Sequence, residues 1–498
     1  MSTKHAPSRY IPHTNTPPTD LKALRHHIHD ALIENVQRVH RHPSSNPKVY
    51  VGSAGEIIMD MRAFAAVPSQ SFLTTPTSSL IAVPFHEPRH GNHVSYLETS
   101  IGPATLVLVR QLRLRQNPDS YAHKHARRGK LDSEVLEELE LQETWRGAAD
   151  LIDDALEVAL GEELDEDGCE VLYGRAGLLK PKDKVVRAVE GLCSDENIKA
   201  LVDDIIRRGE LGAKRYMHEL EEDERAKAPP LMWKWHGSRY LGAAHGAVGI
   251  LHVVLHAPSR IIAPHWSKIL STVEWLLAIQ DPSGNWPTKA GRHMTYVSGG
   301  AAAQTESKRI GVDEESDDAL VQWCHGATGF LMLFSALLRR AALSPNACPL
   351  SESQRVSIVA AMQRAGELVY TRGLLRKGIG LCHGVSGSVY ALLAVSDALD
   401  PHASHPHSAQ EFHGEYWLLR AAHLAELATG YQGMTQRGEM KVPDRPYSLY
   451  EGIAGMCCAW AEVLMRLPNG GHSGSGNGNG NGNGRGGMPG YDDIALLE

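Results

Sequence analysis

Two stretches of the chain place cysteine, histidine and glycine in one pattern: WCHGATGF at 323–330 and LCHGVSGS at 381–388. A buried structural cysteine needs no histidine beside it, and a disulfide needs no glycines. Cys324, Cys382 and His383 together offer two thiolates and one imidazole. Three protein ligands with a fourth position open is the arrangement of a catalytic zinc, whereas structural zinc sites fill all four positions. Two thiolates balance the charge of a divalent ion and favour zinc over the hard cations. The bland alternative is two buried cysteines and a core histidine satisfied by hydrogen bonds. The repetition of the Cys-His-Gly-x-x-Gly context weighs against it.

Residues so far apart in sequence meet only if the elements carrying them are neighbours, and a repeat supplies that. Seven segments share an apolar or aromatic lead-in, a Gly-x-x-Gly turn and an apolar helical pattern. They are VYVGSAGEII (49–58), SYLETSIGPA (95–104), VLYGRAGLL (171–179), GAAHGAVGIL (242–251), WCHGATGFL (323–331), LCHGVSGSVY (381–390) and LYEGIAGMC (449–457). Thr99 replaces the first glycine of the second copy, which makes it the weakest. The glycines allow a sharp turn and a close approach of the helix start to its neighbours. The helices that follow are apolar over much of their surface and are expected to be buried. The intervening segments, such as 266–280, are amphipathic. The expected fold is all-α: a closed α/α toroid of seven inner and seven outer helices, with the seven turns converging on one cavity. An open α-solenoid is the alternative, but it leaves the clustering of polar residues at the turns unexplained. Pro181 is expected to stop the third inner helix after about one turn. The polar loop 297–318 is expected to be mobile.

Composition sets the outer bounds. The chain has 498 residues, 42% hydrophobic and 22% charged, with 50 basic against 58 acidic side chains. That mild acidity argues against a general nucleic-acid surface. No apolar run approaches the roughly 18 residues of a membrane span. Seven cysteines, sparse and odd in number, do not make a disulfide framework. With no secretory signal at the start, a cytoplasmic location is expected; peripheral membrane contact is left open. Residues 1–20 are expected to form a disordered arm, 21–466 the toroid, and 467–498 a low-complexity Gly/Asn-rich tail.

The Gly-x-x-Gly turns, WCHG, LCHG, LGAAHG, LYGRAG and SLYEG resemble the lanthionine synthetase C-like family, and specifically its eukaryotic branch, over about residues 45 to 466. The resemblance implies an α/α toroid with a central zinc held by Cys324, Cys382 and His383. It also implies formation of a thioether, by addition of a thiolate to dehydroalanine or dehydrobutyrine. Bacterial relatives cyclise lantibiotic precursors, and eukaryotic relatives are associated with glutathione. On this pattern His245 of LGAAHG is the proton-handling histidine. His325 stands where bacterial members carry a catalytic residue, and Glu170 stands where they use aspartate. Lys377 and Lys441 match basic positions implicated in holding glutathione. Lys441 replaces the usual arginine, and so offers a point charge instead of a bidentate fork.

The chemistry has its own logic. Conjugate addition of a thiolate builds an enolate on the acceptor, and a group of suitable acidity must protonate Cα. His245 on an adjacent turn is the expected acid, with His325 stabilising the enolate or sharing the proton and Glu170 orienting. The partners that the resemblance implies are glutathione and a dehydroamino-acid-containing peptide or protein. Two rival readings exist. A toroidal glycosidase needs paired carboxylates, and the turns offer only Glu170 and Glu451. A non-catalytic, zinc-containing, glutathione-binding or signalling scaffold would need the metal ligands and Lys377 but not His245.

Overall fold

A computed structural model describes residues 8–68, 86–116, 131–179, 194–292, 294, 319–401, 416–468 and 486–493. The turns of the repeat open seven inner helices: α2 (Ser53–Ala66), α3 (Ile101–Gln116), α5 (Arg175–Leu179), α7 (Ala247–Val254), α9 (Ala327–Leu343), α11 (Val385–Leu399) and α13 (Ile453–Arg466). The outer helices α1 (Leu21–His40), α4 (Leu131–Gly161), α6 (Asp195–Glu219), α8 (Trp266–Ala278), α10 (Glu352–Arg372) and α12 (Tyr416–Thr429) alternate with them. The expected seventh outer helix would fall between α2 and α3, where residues 69–85 lie outside the described residues. No strand forms among the described residues beyond three isolated bridges.

The two kinds of helix form for different reasons. In α1, Leu24, Ile28, Leu32, Val36 and Val39 make one buried stripe, and Asp20 caps the start by accepting from the amides of Lys22 and Ala23. Ser351 and Gln354 form a reciprocal capping box on α10. Every residue of α7 is buried, as are twelve of the fifteen in α11, so the inner helices are held by packing on all sides.

The ring closes. An ideal Cβ on the second glycine of a turn would collide with the preceding turn in nearly every copy. Gly102 meets Val49, Gly177 meets Ser95, Gly249 meets Val171, Gly329 meets Ala243 and Gly455 meets Leu381, while Gly387 lies 3.6 Å from Trp323. Gly55 of the first turn meets Leu449 of the last. Backbone hydrogen bonds run the same way round: Val171 N–H to Ala244 O (3.1 Å), Cys324 to Cys382 (3.3 Å), Cys382 to Tyr450 (2.8 Å), Tyr450 to Tyr50 (3.0 Å) and Tyr50 to Leu97 (3.0 Å). The first and last inner helices, α2 and α13, pack directly on one another. This is a toroid and not an open solenoid.

Several local expectations change. Thr99, the departure in the second turn, does the work of a cap, because its hydroxyl accepts from Ile101 N–H at 3.2 Å. The described part of the third inner helix ends at Leu179; Pro181 and the loop 297–318 lie outside the described residues. The arm expected to be disordered over 1–20 is laid against the ring from Ser8 onward. Ile11 N–H donates to Leu374 O at 2.7 Å, and Arg376 N–H to Arg9 O at 3.0 Å. The far end of the tail also docks. Met488 and Tyr491 are fully buried, and Tyr450 Oη donates to Pro489 O at 2.8 Å. The Gly/Asn repeats carry no apolar side chains, whereas Met488, Pro489 and Tyr491 do.

Candidate functional site

The inner-helix turns set the candidate site. The ligand atoms of Cys324, Cys382 and His383 all lie within 4.8 Å of one another. The two cysteines are buried, and the bond from Cys324 N–H to Cys382 O fixes their turns side by side. At Gly326 the backbone takes φ +94°, and a Cβ there would strike Leu320 O and the side chain of Asn285. Asn285 then replaces the missing cap: its Oδ1 accepts from Ala327 N–H at 2.8 Å, and its Nδ2 donates to Leu320 O at 3.1 Å. The geometry that presents Cys324 is therefore specified by a glycine and a loop asparagine.

Electrostatics couple the two sulfurs. Cys382 donates to Cys324, which holds the Cys324 thiol below its usual range, with the nearby Lys377 ammonium adding to the effect against burial. The same shared proton pushes Cys382 well up. Two sulfurs with an imidazole alongside make a donor set that fits a borderline divalent cation such as zinc.

Glu170 and His245 form the second part. The Glu170 carboxylate is fully buried and accepts the amides of Leu172 (2.8 Å), Tyr173 (2.5 Å) and Gly174 (2.9 Å). It also lies 2.9 Å from His245 Nδ1. An acceptor at Nδ1 fixes the proton there and leaves Nε2 as the working nitrogen. Glu170 thus caps its turn and orients His245 at once. The imidazole is flanked by near-parallel rings, Trp235 at 5.8 Å and Tyr173 at 6.4 Å.

His325 lies on the adjacent turn. It and His245 both face Tyr240, with ring centroids 5.6 and 5.9 Å away. Burial, then the charges of His245, Lys377 and Lys289, push the His325 imidazole down to about 4. It is therefore neutral near pH 7, suited to donating or accepting a hydrogen bond and not to carrying charge. Its Nδ1 is buried and has no hydrogen-bond partner among the described residues.

The lysines occupy the rim. Lys377 is exposed and close enough to act on both Cys324 and His325. Lys441 is also exposed, and its N–H donates to Arg376 O at 2.7 Å, which sets it beside the segment carrying Lys377. Its side chain borders a cavity of about 270 Å³ lined also by Arg38, Tyr431, Pro443 and Tyr447, not by the cysteines. Sequence reasoning missed Lys289, Tyr240 and Tyr50. Lys289 sits 4.8 Å over the Tyr240 ring. Tyr50 lies against Cys382, and its phenol is pushed up by burial and by that sulfur. Tyr240 and Tyr50 stand just ahead of their turns and were within reach of the repeat. Lys289 sits in a loop with no motif to mark it.

Comparison with known proteins gives concordant results. Residues 137–465 match the family described as lanthionine synthetase C-like protein. The first two turns of the ring precede that match. "Glutathione S-transferase LANCL1" of Danio rerio is 27% identical over 299 residues, covering 59% of this chain and 59% of that protein. "LanC-like protein GCL1" of Arabidopsis thaliana is 29% identical over 297 residues, covering 59% of this chain and 55% of its own length. The matched region thus spans less than two thirds of either relative. Among the described residues no helix is long and apolar enough to cross a membrane.

Proposed function

This chain belongs to the lanthionine synthetase C-like family, and from that premise we propose that it joins a thiol, glutathione, to dehydroalanine or dehydrobutyrine residues of peptides or proteins. The observation that carries the reading is the Glu170–His245 pair on the turn next to the two-cysteine, one-histidine cluster. A scaffold needing only a folded, metal-holding ring has no use for a histidine oriented by a fully buried carboxylate. The transferase name carried by the Danio rerio relative agrees with glutathione as the thiol.

Cys324, Cys382 and His383 would hold a zinc ion, which when bound supplies the Lewis acidity that keeps a thiol deprotonated at neutral pH. The chain's own residues do the rest. The Lys377 ammonium lies at the open face of the site and attracts the carboxylates of glutathione, with Lys441 one segment away as a second, weaker anchor. As the carbon–sulfur bond forms, the acceptor's π electrons move onto its carbonyl. Neutral His325 offers a hydrogen bond to that developing enolate oxygen. His245 delivers the proton to Cα from Nε2 while Glu170 stabilises the charge on the ring through Nδ1. Trp235 and Tyr173 keep the imidazole in plane during the transfer.

The test is the rate of glutathione adduct formation on a dehydroalanine peptide, compared in the wild type, His245→Ala and Cys382→Ser, with zinc content measured on each. The reading requires wild-type acceleration over background, loss of rate without loss of zinc in His245→Ala, and loss of both in Cys382→Ser. Background rates in a zinc-loaded wild type would leave the protein a binding scaffold.

A further inference from the structure

At the far mouth of the barrel, away from the turns, the C-ends of the inner helices gather a second set of ligand-bearing side chains. His252, in the last turn of α7, and His256, two residues past its end in the sequence HVVLH, lie side by side with ring centroids 4.7 Å apart. The docked C-terminal segment brings Asp492 to them. His252 Nε2 is 3.4 Å and His256 Nε2 is 3.9 Å from the same Asp492 oxygen. All three side chains are buried, and their ligand atoms lie within 4.8 Å of one another.

The tautomer of His256 is decided by geometry. Its Nδ1 donates to the carbonyl of His252 at 2.8 Å, so Nε2 presents a lone pair. Nε2 has no hydrogen-bond partner among the described residues and sits 3.9 Å from a carboxylate oxygen. Two buried acceptors this close are unfavourable unless a proton, a water or a cation lies between them, and with two imidazoles and a carboxylate converging a cation meets all three. A tetrahedral ion with bonds of about 2.0–2.1 Å places its ligand atoms about 3.4 Å apart. The His252–Asp492 edge already has that length, and the His256–Asp492 edge is half an ångström wider. Tyr491 stacks on the His252 ring, with centroids 4.2 Å apart at 16°, and fixes its orientation. One positive charge competes: Arg339 Nη2 reaches the same Asp492 oxygen at 3.1 Å. That oxygen has a second lone pair for the ion, and Asp493 follows at once, paired with Arg62 at 3.2 Å.

We propose that His252, His256 and Asp492 form a second metal site, for a divalent transition cation of the zinc class, completed by the C-terminal segment at the base of the barrel. Two imidazoles and one carboxylate suit zinc or cobalt(II) over calcium or magnesium. The ion would clasp the tail to α7 and support, from below, the floor on which Trp323 meets Tyr491 at 5.0 Å. The proposal does not depend on the reaction assigned to the upper site.

Cobalt(II) titration of the full-length chain tests it, in a Cys324→Ser/Cys382→Ser background that removes the thiolates. That protein is expected to take up one equivalent of cobalt, with visible d–d bands but no thiolate charge-transfer band. Asp492→Asn and His256→Gln, each added separately, are expected to abolish the uptake. Metal stoichiometry of the chain with its cysteines intact, falling from two to one on Asp492→Asn, provides the same answer should the serine variant fail to fold. A folded serine variant that binds no cobalt would overturn the site. So would uptake that survives both added substitutions, or a cysteine-intact chain that holds one equivalent with and without Asp492.

Discussion

Replacing Glu170 by glutamine separates the two jobs assigned to that side chain. The carboxylate accepts three backbone amides and faces His245 Nδ1, all from a fully buried position. Glutamine keeps one oxygen. If it serves Tyr173 and Gly174, its amide nitrogen must face both Leu172 N–H and His245 Nδ1. One buried N–H then goes unsatisfied, and charge-assisted bonds become neutral ones, a loss of about 2–4 kcal/mol of stability. His245 is meanwhile driven to carry its proton on Nε2, and an imidazolium there loses its counter-ion. A wrong tautomer and an unsupported acid together cost about 10²–10⁴ in rate. Chemical denaturation and the adduct-forming rate are to be measured on the same preparation, with Glu170→Asp as the conservative control. A glutamine variant that is destabilised but turns over at the wild-type rate would show that Glu170 only caps its turn.

Three further perturbations follow from the structure. Gly329→Ala places a methyl group 2.7 Å from both Ala243 Cβ and Trp323 O, neither of which can swing aside; a destabilisation of about 1–3 kcal/mol is expected in urea unfolding, and an unchanged midpoint would contradict the ring contact. Lys377→Ala should raise KM for glutathione several-fold with little change in kcat, and Lys377→Arg should restore it; kinetics insensitive to both would remove Lys377 from the binding face. Burial pushes the Glu56 carboxyl up to about 7, against a hydrogen bond from Ser44, with Asp60 and His40 also facing it. The folded state therefore holds its proton more tightly than the unfolded chain, and this part of the stability is lost as pH rises between about 4.5 and 7. Discounted for partial solvent exposure, the effect is about 1–2 kcal/mol, so Glu56→Gln should stabilise the protein at pH 8 and leave it unchanged at pH 4.5. Equal shifts at both pH values would refute the assignment.

How far the sequence could carry these conclusions depends on which residues repeat. The seven turns were legible because six of them need the second glycine for a contact with the neighbouring turn, and only at Gly387 is that contact an ordinary one. That Cys324, Cys382 and His383 come together was legible because two of the turns carry the same unusual pair. Thr99 makes the second copy the weakest in sequence yet still opens a helix, because a hydroxyl can start one by accepting an amide where a glycine does so by fitting the turn. Lys289 and Asn285 were not legible: they reach the site from a loop, and no periodicity marks a loop residue that folds back. The docking of Met488 to Asp492 was hidden for a related reason. A short apolar segment beyond a Gly/Asn tract looks like more tail until the barrel mouth that receives it is known.

Delivery of a proton to one face of the acceptor, as proposed for the ring, leaves its signature in the stereochemistry at the new Cα. Glutathione would be added to a dehydroalanine peptide with zinc-loaded protein, and the two diastereomeric thioethers resolved by chromatography and mass spectrometry. Protonation by a fixed His245 predicts one epimer from the wild type, and a slow, mixed product from His245→Ala. A mixture of epimers from both proteins at the uncatalysed rate would contradict the account.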